Sequence, residues 1–172
     1  MPAQDQVVTQ SSGRYTLIPR TLSFVIYDRQ ALLLRGAPDK KVWPGKYNGV
    51  GGHVERNEDV RSAALREILE ETGLAVSDLR LRGVVNIDTG EAAGIQMFVY
   101  TARAHERDVK ASREGALEWV EFDRVGELDL VEDLPALLPR VLAMGDGEEP
   151  FAARYYYDES GRLVIEGLEM RD

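Results

Sequence analysis

Residues 52–74, GHVERNEDVRSAALREILEETGL, carry the most specific pattern in the sequence. The second part of this stretch has the properties of a helix with clear ends. Asn57 is a plausible N-cap, the acids that follow it suit the positive end of the helix dipole, and Gly73 suits the position just after the last turn. The sequence therefore predicts a helix over residues 58–72.

Three glutamates of this helix share one face. Glu67, Glu70 and Glu71 have the i, i+3 and i+4 spacing that brings side chains together on a helix. Like charges at this spacing cost about a few tenths of a kcal/mol per pair, and a hard divalent cation reverses the sign of that cost. Taken alone, the three acids fit a solvated helix face better than a metal site, with Arg66 in an i,i+4 pair to Glu70. The apolar residues expected to face the core are Ala64, Leu65 and Ile68.

The wider spacing resembles the Nudix signature at every specified position. Gly52 is followed by five residues, Glu58, seven residues and then an Arg-Glu-aliphatic-any-Glu-Glu-any-Gly-aliphatic run that ends at Leu74. The resemblance implies an α+β (mixed α/β) fold, an αβα sandwich in which this stretch forms a loop, a helix and a loop. It also implies an enzyme that splits a phosphoanhydride bond of a nucleoside-diphosphate-linked substrate, with Mg²⁺ or Mn²⁺ as cofactor.

The resemblance assigns roles within the signature. The implied metal ligands are the carbonyl of Gly51 and the carboxylates of Glu67, Glu70 and Glu71. Arg66 would pair with Glu58 or Glu70 and orient that glutamate, although Arg66 and Glu58 fit a purely loop-stabilising role equally well. Gly52 and Gly73 would permit the turns into and out of the helix.

A further carboxylate is expected from outside the signature. Glu114 lies in SREGALEWV, residues 112–120, whose spacing to the Trp resembles a loop of MutT-type hydrolases. Glu114 would bind a second metal ion or act as the general base toward water. Glu118 is the competing candidate, and an ordinary surface position is the third interpretation.

The residues that would choose the substrate resemble those of oxidised-purine-nucleotide hydrolases. YNGVGG, residues 47–52, is similar to the Trp-Asn-Gly-Phe-Gly-Gly stretch of enzymes that hydrolyse 8-oxo-dGTP. Asn48 would read the base edge or serve only as a turn residue. Glu132 and Asp133 stand where the subgroup has an acidic pair that reads the purine, or they cap the next helix. Arg35 matches a basic position near the phosphates.

The aromatic residues and histidines support less specific expectations. Trp43 and Tyr47 would stack on the base or pack in the protein, and neither His53 nor His105 is assigned a catalytic role. The chain departs from the subgroup in three ways. It has Tyr47 in place of Trp, the loop before Tyr47 is longer, and its acidic pair is Glu132 and Asp133 rather than two aspartates. Marks of the ADP-ribose and dinucleoside-polyphosphate hydrolases are missing, since Thr89 stands in place of a Pro and no Tyr follows the signature before Tyr100.

Two other functional classes fit the same fold. An isoprenyl diphosphate isomerase of this fold normally needs a catalytic cysteine, and the 172-residue chain contains none. A nucleotide-sensing domain without catalysis usually has a damaged signature, whereas this one is intact. A hydrolase is therefore the preferred interpretation.

The composition of the chain limits the kinds of molecule that it is expected to bind. The net charge is −9, which disfavours nucleic acid as a partner but allows a small nucleotide whose charge is bridged by cations. No apolar run approaches the roughly 20 residues that span a bilayer, so no membrane partner is expected. The lack of cysteine fits a cytoplasmic protein, no secretory signal is expected at the start of the sequence, and a monomer or a homodimer fits equally.

The rest of the chain predicts one domain over residues 15–172, preceded by a flexible leader over residues 1–14. A second helix is expected over residues 134–144, where apolar residues recur with helical spacing. The expected strands cover residues 21–27, 31–34, 47–55, 79–88, 95–103, 117–122, 151–157 and 163–166, the last two as a hairpin.

Overall fold

The computed structural model describes residues 15–39, 41–112 and 114–169. Within these ranges there are two α-helices, α1 (Val60–Thr72) and α2 (Leu134–Ala143), and a 3-10 helix, Phe122–Glu127. The strands are β1 (Thr16–Tyr27), β2 (Gln30–Gly36), β3 (Tyr47–Asn48), β4 (Val76–Ile87), β5 (Ala93–Ala104), β6 (Gly115–Glu121), β7 (Phe151–Tyr157) and β8 (Leu163–Glu166). The predicted leader lies outside the described residues.

All the named strands form one mixed sheet. Its order is β3-β2-β1-β5-β4-β7-β8, and β6 pairs along β2. The β1–β5 and β4–β7 pairs are parallel, whereas β1–β2, β4–β5 and β7–β8 are antiparallel. The long β1–β5 register, from Thr16↔Ala93 to Ile26↔Arg103, places β1 near the middle of the sheet.

One helix covers each face of the sheet. Strand residues such as Phe24 pack with α2 in one core cluster, and Val25, the next residue, packs with α1 in the other. Successive strand side chains point to opposite faces, so β1 contributes to both cores. The predicted αβα sandwich is therefore confirmed. No helix among the described residues is long and apolar enough to cross a bilayer.

Helix α1 begins later than predicted. Its N-cap is Asp59, whose carboxylate accepts hydrogen bonds from the N–H groups of Arg61 and Ser62 at 2.9 and 3.0 Å. Asn57, the predicted N-cap, lies in the preceding turn with a φ of 74°. The predicted end is confirmed, since Gly73 is left-handed with a φ of 79° and its N–H bonds to the Leu69 carbonyl.

The buried face of α1 also differs by one residue from the prediction. Ala63, Ala64 and Ile68 are fully buried, whereas Leu65 is 37% exposed. Successive residues of a helix are rotated by 100° about its axis. This rotation places Leu65 at the edge of the buried stripe, where its side chain faces outward.

The predicted strand over residues 47–55 is mostly replaced by irregular pairing. Only Tyr47–Asn48 is a strand, and beyond it the chain touches β1 through single bridges, Val50 to Ser23 and His53 to Arg20. Closely spaced glycines prevent a regular ladder here. The terminal hairpin has the predicted bounds, and α2 ends one residue earlier than expected.

Candidate active site

A pair of glycines lies against two of the signature carboxylates. The N–H of Gly51 donates to Oε2 of Glu71 at 3.2 Å. A Cβ at Gly52 would lie 2.3 Å from Oε1 of Glu67, and a Cβ at Gly51 would lie 2.1 Å from the Thr21 carbonyl oxygen. Side chains are excluded at both positions, and the absence of one at Gly52 lets Glu67 approach the loop backbone.

Arg66 bonds to three acids of the signature. Its Nε and NH2 donate to the two oxygens of Glu58 at 3.1 and 2.7 Å. Its NH1 donates to Glu67 at 2.9 Å and to Glu70 at 3.1 Å. The structure therefore joins Arg66 to both predicted partners, Glu58 and Glu70, and adds Glu67, which was not predicted as a partner.

This network also shifts the pKa values of Glu58 and Arg66. The Arg66 guanidinium, with the N–H of Glu55, holds the pKa of the Glu58 carboxyl below its usual value. The same bonds, to Glu58 first and then to Glu67, raise the pKa of Arg66. NH2 of Arg66 additionally donates to the His53 carbonyl at 3.1 Å, so one side chain ties α1 to the preceding loop.

The donor set suits a hard divalent cation. Glu67 and Glu70 bond to one nitrogen of Arg66, so their oxygens lie no farther apart than two hydrogen-bond lengths, and Glu71 lies at the adjoining glycine pair. Carboxylate and carbonyl oxygens are the ligands that Mg²⁺ and Mn²⁺ prefer. Within the described ranges no three Asp, Glu or His side chains are close enough together to hold a metal ion, so the metal role stays a prediction. It requires Glu67 and Glu70 to turn from Arg66.

A cleft of about 640 Å³ opens beside this loop. Seven of the predicted site residues line it: Asn48, Gly51, Gly52, Glu71, Glu114, Glu132 and Asp133. It brings the signature loop and the predicted base-reading residues to one concave site. Arg35 lies outside this lining; its side chain is exposed, and its guanidinium carbon lies 5.7 Å from the centroid of the Tyr47 ring.

The two aromatic candidates, Trp43 and Tyr47, differ in their exposure to the cleft. Trp43 lines the cleft with 47% of its surface exposed and a φ of 53°. Tyr47 is only 9% exposed, belongs to the core on the α2 side and donates its hydroxyl to Glu118 at 2.9 Å. Tyr47 is therefore packing, whereas Trp43 is available to a ligand.

The polar candidates at the far side of the cleft show two local arrangements. Oδ1 of Asn48 accepts from the Gly49 N–H at 2.8 Å, as a turn residue does. Asp133 occupies the N-cap position of α2, yet its side chain makes no capping hydrogen bond. Burial raises the pKa of the Asp133 carboxyl, and the neighbouring charge of Glu132 raises it further.

Glu114 and Glu118 are placed differently. Glu114 lines the cleft beside the signature loop, and its carbonyl accepts from Ala37 at 3.0 Å. Glu118 bonds to the Tyr47 hydroxyl and is not part of the cleft lining. Position thus favours Glu114 over its competitor.

Sequence reasoning missed Arg20 and Thr21, which line the cleft from β1. Both lie before or at the predicted start of that strand, and their contacts come from pairing with residues 50–54, far along the chain. Only the apolar alternation of β1, extended backward, carries a signal for them.

The family comparison agrees with the fold. The model of the NUDIX domain matches residues 17–141, which run from β1 into the last turn of α2. The match spans well over half of the chain, and the chain belongs to the Nudix family.

Individual relatives extend this result. A Danio rerio protein named oxidized purine nucleoside triphosphate hydrolase is 30% identical over 107 residues, covering 62% of this chain and 69% of that protein. Its Mus musculus namesake is 28% identical over 153 residues, covering 88% and 94%. A solved MutT protein of Bacillus halodurans has a TM-score of 0.72 at 26% identity and covers 87% of this chain and 98% of that one. The protein is thus a Nudix hydrolase, an enzyme class that acts on small nucleotides and generally uses a divalent metal ion.

Proposed function

We propose that the protein is a Mg²⁺- or Mn²⁺-dependent pyrophosphohydrolase of oxidised purine nucleoside triphosphates such as 8-oxo-dGTP, which it converts to the monophosphate and pyrophosphate. The observation that carries the proposal is the single cleft lined by Gly51, Glu71 and Glu114 together with Asn48 and Asp133. One part of it presents oxygen ligands for a cation, and the other presents groups that hydrogen-bond to a purine edge. The names of the two vertebrate relatives support this substrate class.

The substrate would lie along the cleft with its base near Asn48 and Asp133. Asn48 offers an amide donor and acceptor, and Asp133 offers an acceptor when ionised or a donor when protonated. Trp43, exposed at the cleft, would stack on the base. The phosphate chain would then reach the Gly51–Gly52 loop.

The signature side of the cleft would perform the hydrolysis. Glu67, Glu70, Glu71 and the Gly51 carbonyl would hold the cation, which supplies charge neutralisation and a more acidic water. Arg66 would hold Glu67 and Glu70 in position until the cation binds. Glu114 would accept the proton of the attacking water from the cleft wall.

The proposal is tested with a panel of nucleotides. Purified protein is incubated with 8-oxo-dGTP, dGTP, ADP-ribose and diadenosine tetraphosphate in Mg²⁺ or Mn²⁺, and the products are separated by chromatography. We expect the oxidised nucleotide to give monophosphate and pyrophosphate with a kcat/KM at least about tenfold above that of dGTP. A preference for ADP-ribose or the dinucleotide would overturn the proposed substrate.

The role of Glu114 has a matched control in the same strand region. Glu114→Gln is expected to lower kcat by about 10²–10⁴-fold, because it removes a general base without changing shape. Glu118→Gln, which alters a carboxylate that bonds to Tyr47 outside the cleft, is expected to stay within about threefold of wild type. Equal effects of the two substitutions would remove Glu114 from the chemistry.

A further inference from the structure

A second cavity, of about 450 Å³, lies between the 3-10 helix and α2. Leu130 and Pro135 line this cavity, whereas Val131 and Asp133 line the cleft that contains the signature loop. Among the described residues, none lines both cavities. The second cavity, the α2 groove, is therefore separated from the cleft by the segment that leads into α2.

The lining of the α2 groove is apolar apart from one side chain. Pro139 and Leu142 contribute to it from α2, and Phe122 and Gly126 contribute from the 3-10 helix. A Cβ at Gly126 would meet nothing within 4 Å, so the groove is open on this side. Among the described residues that line it, Arg29 alone carries a charge. An apolar cavity of this size with a single polar group is typical of a small-molecule site.

The guanidinium of Arg29 is held at the groove by an aromatic ring. Arg29 lies in the exposed turn between β1 and β2, and its carbonyl accepts from the Phe122 N–H at 3.0 Å. The guanidinium carbon lies 5.8 Å from the centroid of the Phe122 ring. No ion pair formed within residues 15–39, 41–112 and 114–169 includes Arg29. The ring thus positions the cation, and in this part of the chain no carboxylate neutralises it.

The charge of the groove indicates what kind of ligand fits it. Asp123 and Glu127 are exposed residues of the 3-10 helix that do not line the groove, and Glu127 pairs with Arg124 at 3.3 Å. The charge of the lining is therefore a single positive one. A carboxylate complements it, because a guanidinium can donate two parallel N–H bonds to the two carboxylate oxygens. An apolar tail on the same molecule would cover the apolar lining and remove it from water.

We propose that the α2 groove is a second ligand site, which binds a small molecule with an apolar body and one carboxylate, such as a medium-chain fatty acid. The carboxylate would bond to Arg29, and the apolar body would lie between Phe122 and Leu142. This inference does not rest on the proposed function, because the groove shares no lining residue with the cleft among the described residues.

The test is a titration of the full chain, labelled with ¹⁵N, with hexanoate, 1-hexanol and hexylamine, followed by NMR. Hexanoate is expected to shift the amide signals of Gly126 and Ala143, which line the groove, with a Kd of about 1 mM. 1-Hexanol and hexylamine should bind at least about tenfold more weakly, because neither can accept two bonds from a guanidinium. Each methylene added to the acid should lower Kd by up to about fourfold until the groove is filled.

Substitution of Arg29 tests the charged contact. Arg29→Gln is expected to raise the Kd of hexanoate by about tenfold or more and to leave that of 1-hexanol within about twofold, with partial recovery in Arg29→Lys. Two controls should leave the Kd of hexanoate within about twofold: Arg124→Gln, in the same 3-10 helix but outside the groove, and Trp43→Ala, in the cleft.

Four results would overturn the inference. They are the lack of a shift at Gly126 and Ala143, hexanoate shifts centred on Asn48 and Gly51 of the cleft, 1-hexanol or hexylamine binding as tightly as hexanoate, and a hexanoate Kd that Arg29→Gln does not change. The first two concern the place of the site, and the last two concern the chemistry of the ligand.

Discussion

At the scale of single residues, Gly52 controls where Glu67 can lie. A Cβ at this position would be 2.3 Å from Oε1 of Glu67, whereas a Cβ at Gly126 would meet nothing within 4 Å. Gly52→Ala should therefore displace the Glu67 carboxylate and lower kcat by about 100-fold, the usual cost of a misplacement near 1 Å. The Mg²⁺ concentration for half-maximal rate should rise as well.

Gly126→Ala is the matched control for that experiment. It adds the same methyl group in the 3-10 helix, in open space, and should leave both kinetic quantities unchanged. If Gly52→Ala retained wild-type kcat and metal dependence, Glu67 would not be a ligand.

Arg66 shows why acids so close together are compatible with a stable helix before a cation binds. Its guanidinium neutralises Glu58 and Glu67 and reaches Glu70, so the like charges of α1 are offset locally. Exposure differs between the acids: the Glu67 side chain is 14% exposed and that of Glu70 is 59% exposed. Glu70 is therefore the acid that can turn toward a cation at the lowest cost.

At the scale of secondary-structure elements, the start of α1 depends on Asp59. Its carboxylate accepts from two helix N–H groups, so Asp59→Ala should destabilise the fold by about 1 kcal/mol. For a domain of this size the melting temperature should fall by about 2–4 °C. Thermal unfolding followed by circular dichroism measures the change.

Asn57→Gly separates the two N-cap candidates. Asn57 has a φ of 74°, which glycine adopts without strain, so this substitution should leave the melting temperature within about 2 °C. A larger loss in Asn57→Gly than in Asp59→Ala would show that the helix is capped by Asn57 in solution.

The elements that sequence predicted best are those defined by local chemistry. Gly73 ends α1 because only a residue tolerant of positive φ fits there, and the hairpin of β7 and β8 follows from alternating residues around a turn. The face shared by Glu67 and Glu71 follows from helical periodicity alone. Each of these properties is set within a few residues of the chain.

The misses are positions set by distant contacts. Asn57 and Asp59 are both good N-caps by residue type, and only the path of the preceding loop selects Asp59. The place of Arg20 in the cleft depends on pairing of β1 with residues 50–54 and with β5. Arg35 lies outside the cleft because β2 directs it beside Tyr47. Nothing adjacent in sequence carries this information.

At the scale of the whole molecule, the sheet connects the signature helix on one face to the residues before α2, proposed to contact the base, on the other. The backbone link is direct: the Tyr47 N–H bonds to the Asp129 carbonyl and the Val131 N–H bonds to the Tyr47 carbonyl, at 2.9 and 3.0 Å. Asp133 is thereby fixed relative to Asn48. The cleft is a product of the assembled sandwich rather than of either helix.

The stability of the assembled fold should depend on pH through the half-buried Asp133. Burial and then the charge of Glu132 raise the pKa of this carboxyl in the folded state. The folded protein thus favours the protonated form, and ionisation of Asp133 lowers stability. That penalty is absent below the ordinary pKa of an aspartate, near 4, and develops as the pH rises through the elevated value.

Asp133→Asn should remove the penalty, since the side chain makes no capping hydrogen bond that would be lost. At pH 7.5 its melting temperature should exceed that of wild type. The difference should shrink toward zero as the pH approaches 4, because wild-type Asp133 is then protonated as well. Asp123→Asn, at an exposed position of the 3-10 helix, should show no comparable trend. If the difference in melting temperature between Asp133→Asn and wild type were constant from pH 4 to 8, ionisation of Asp133 would not destabilise the folded protein.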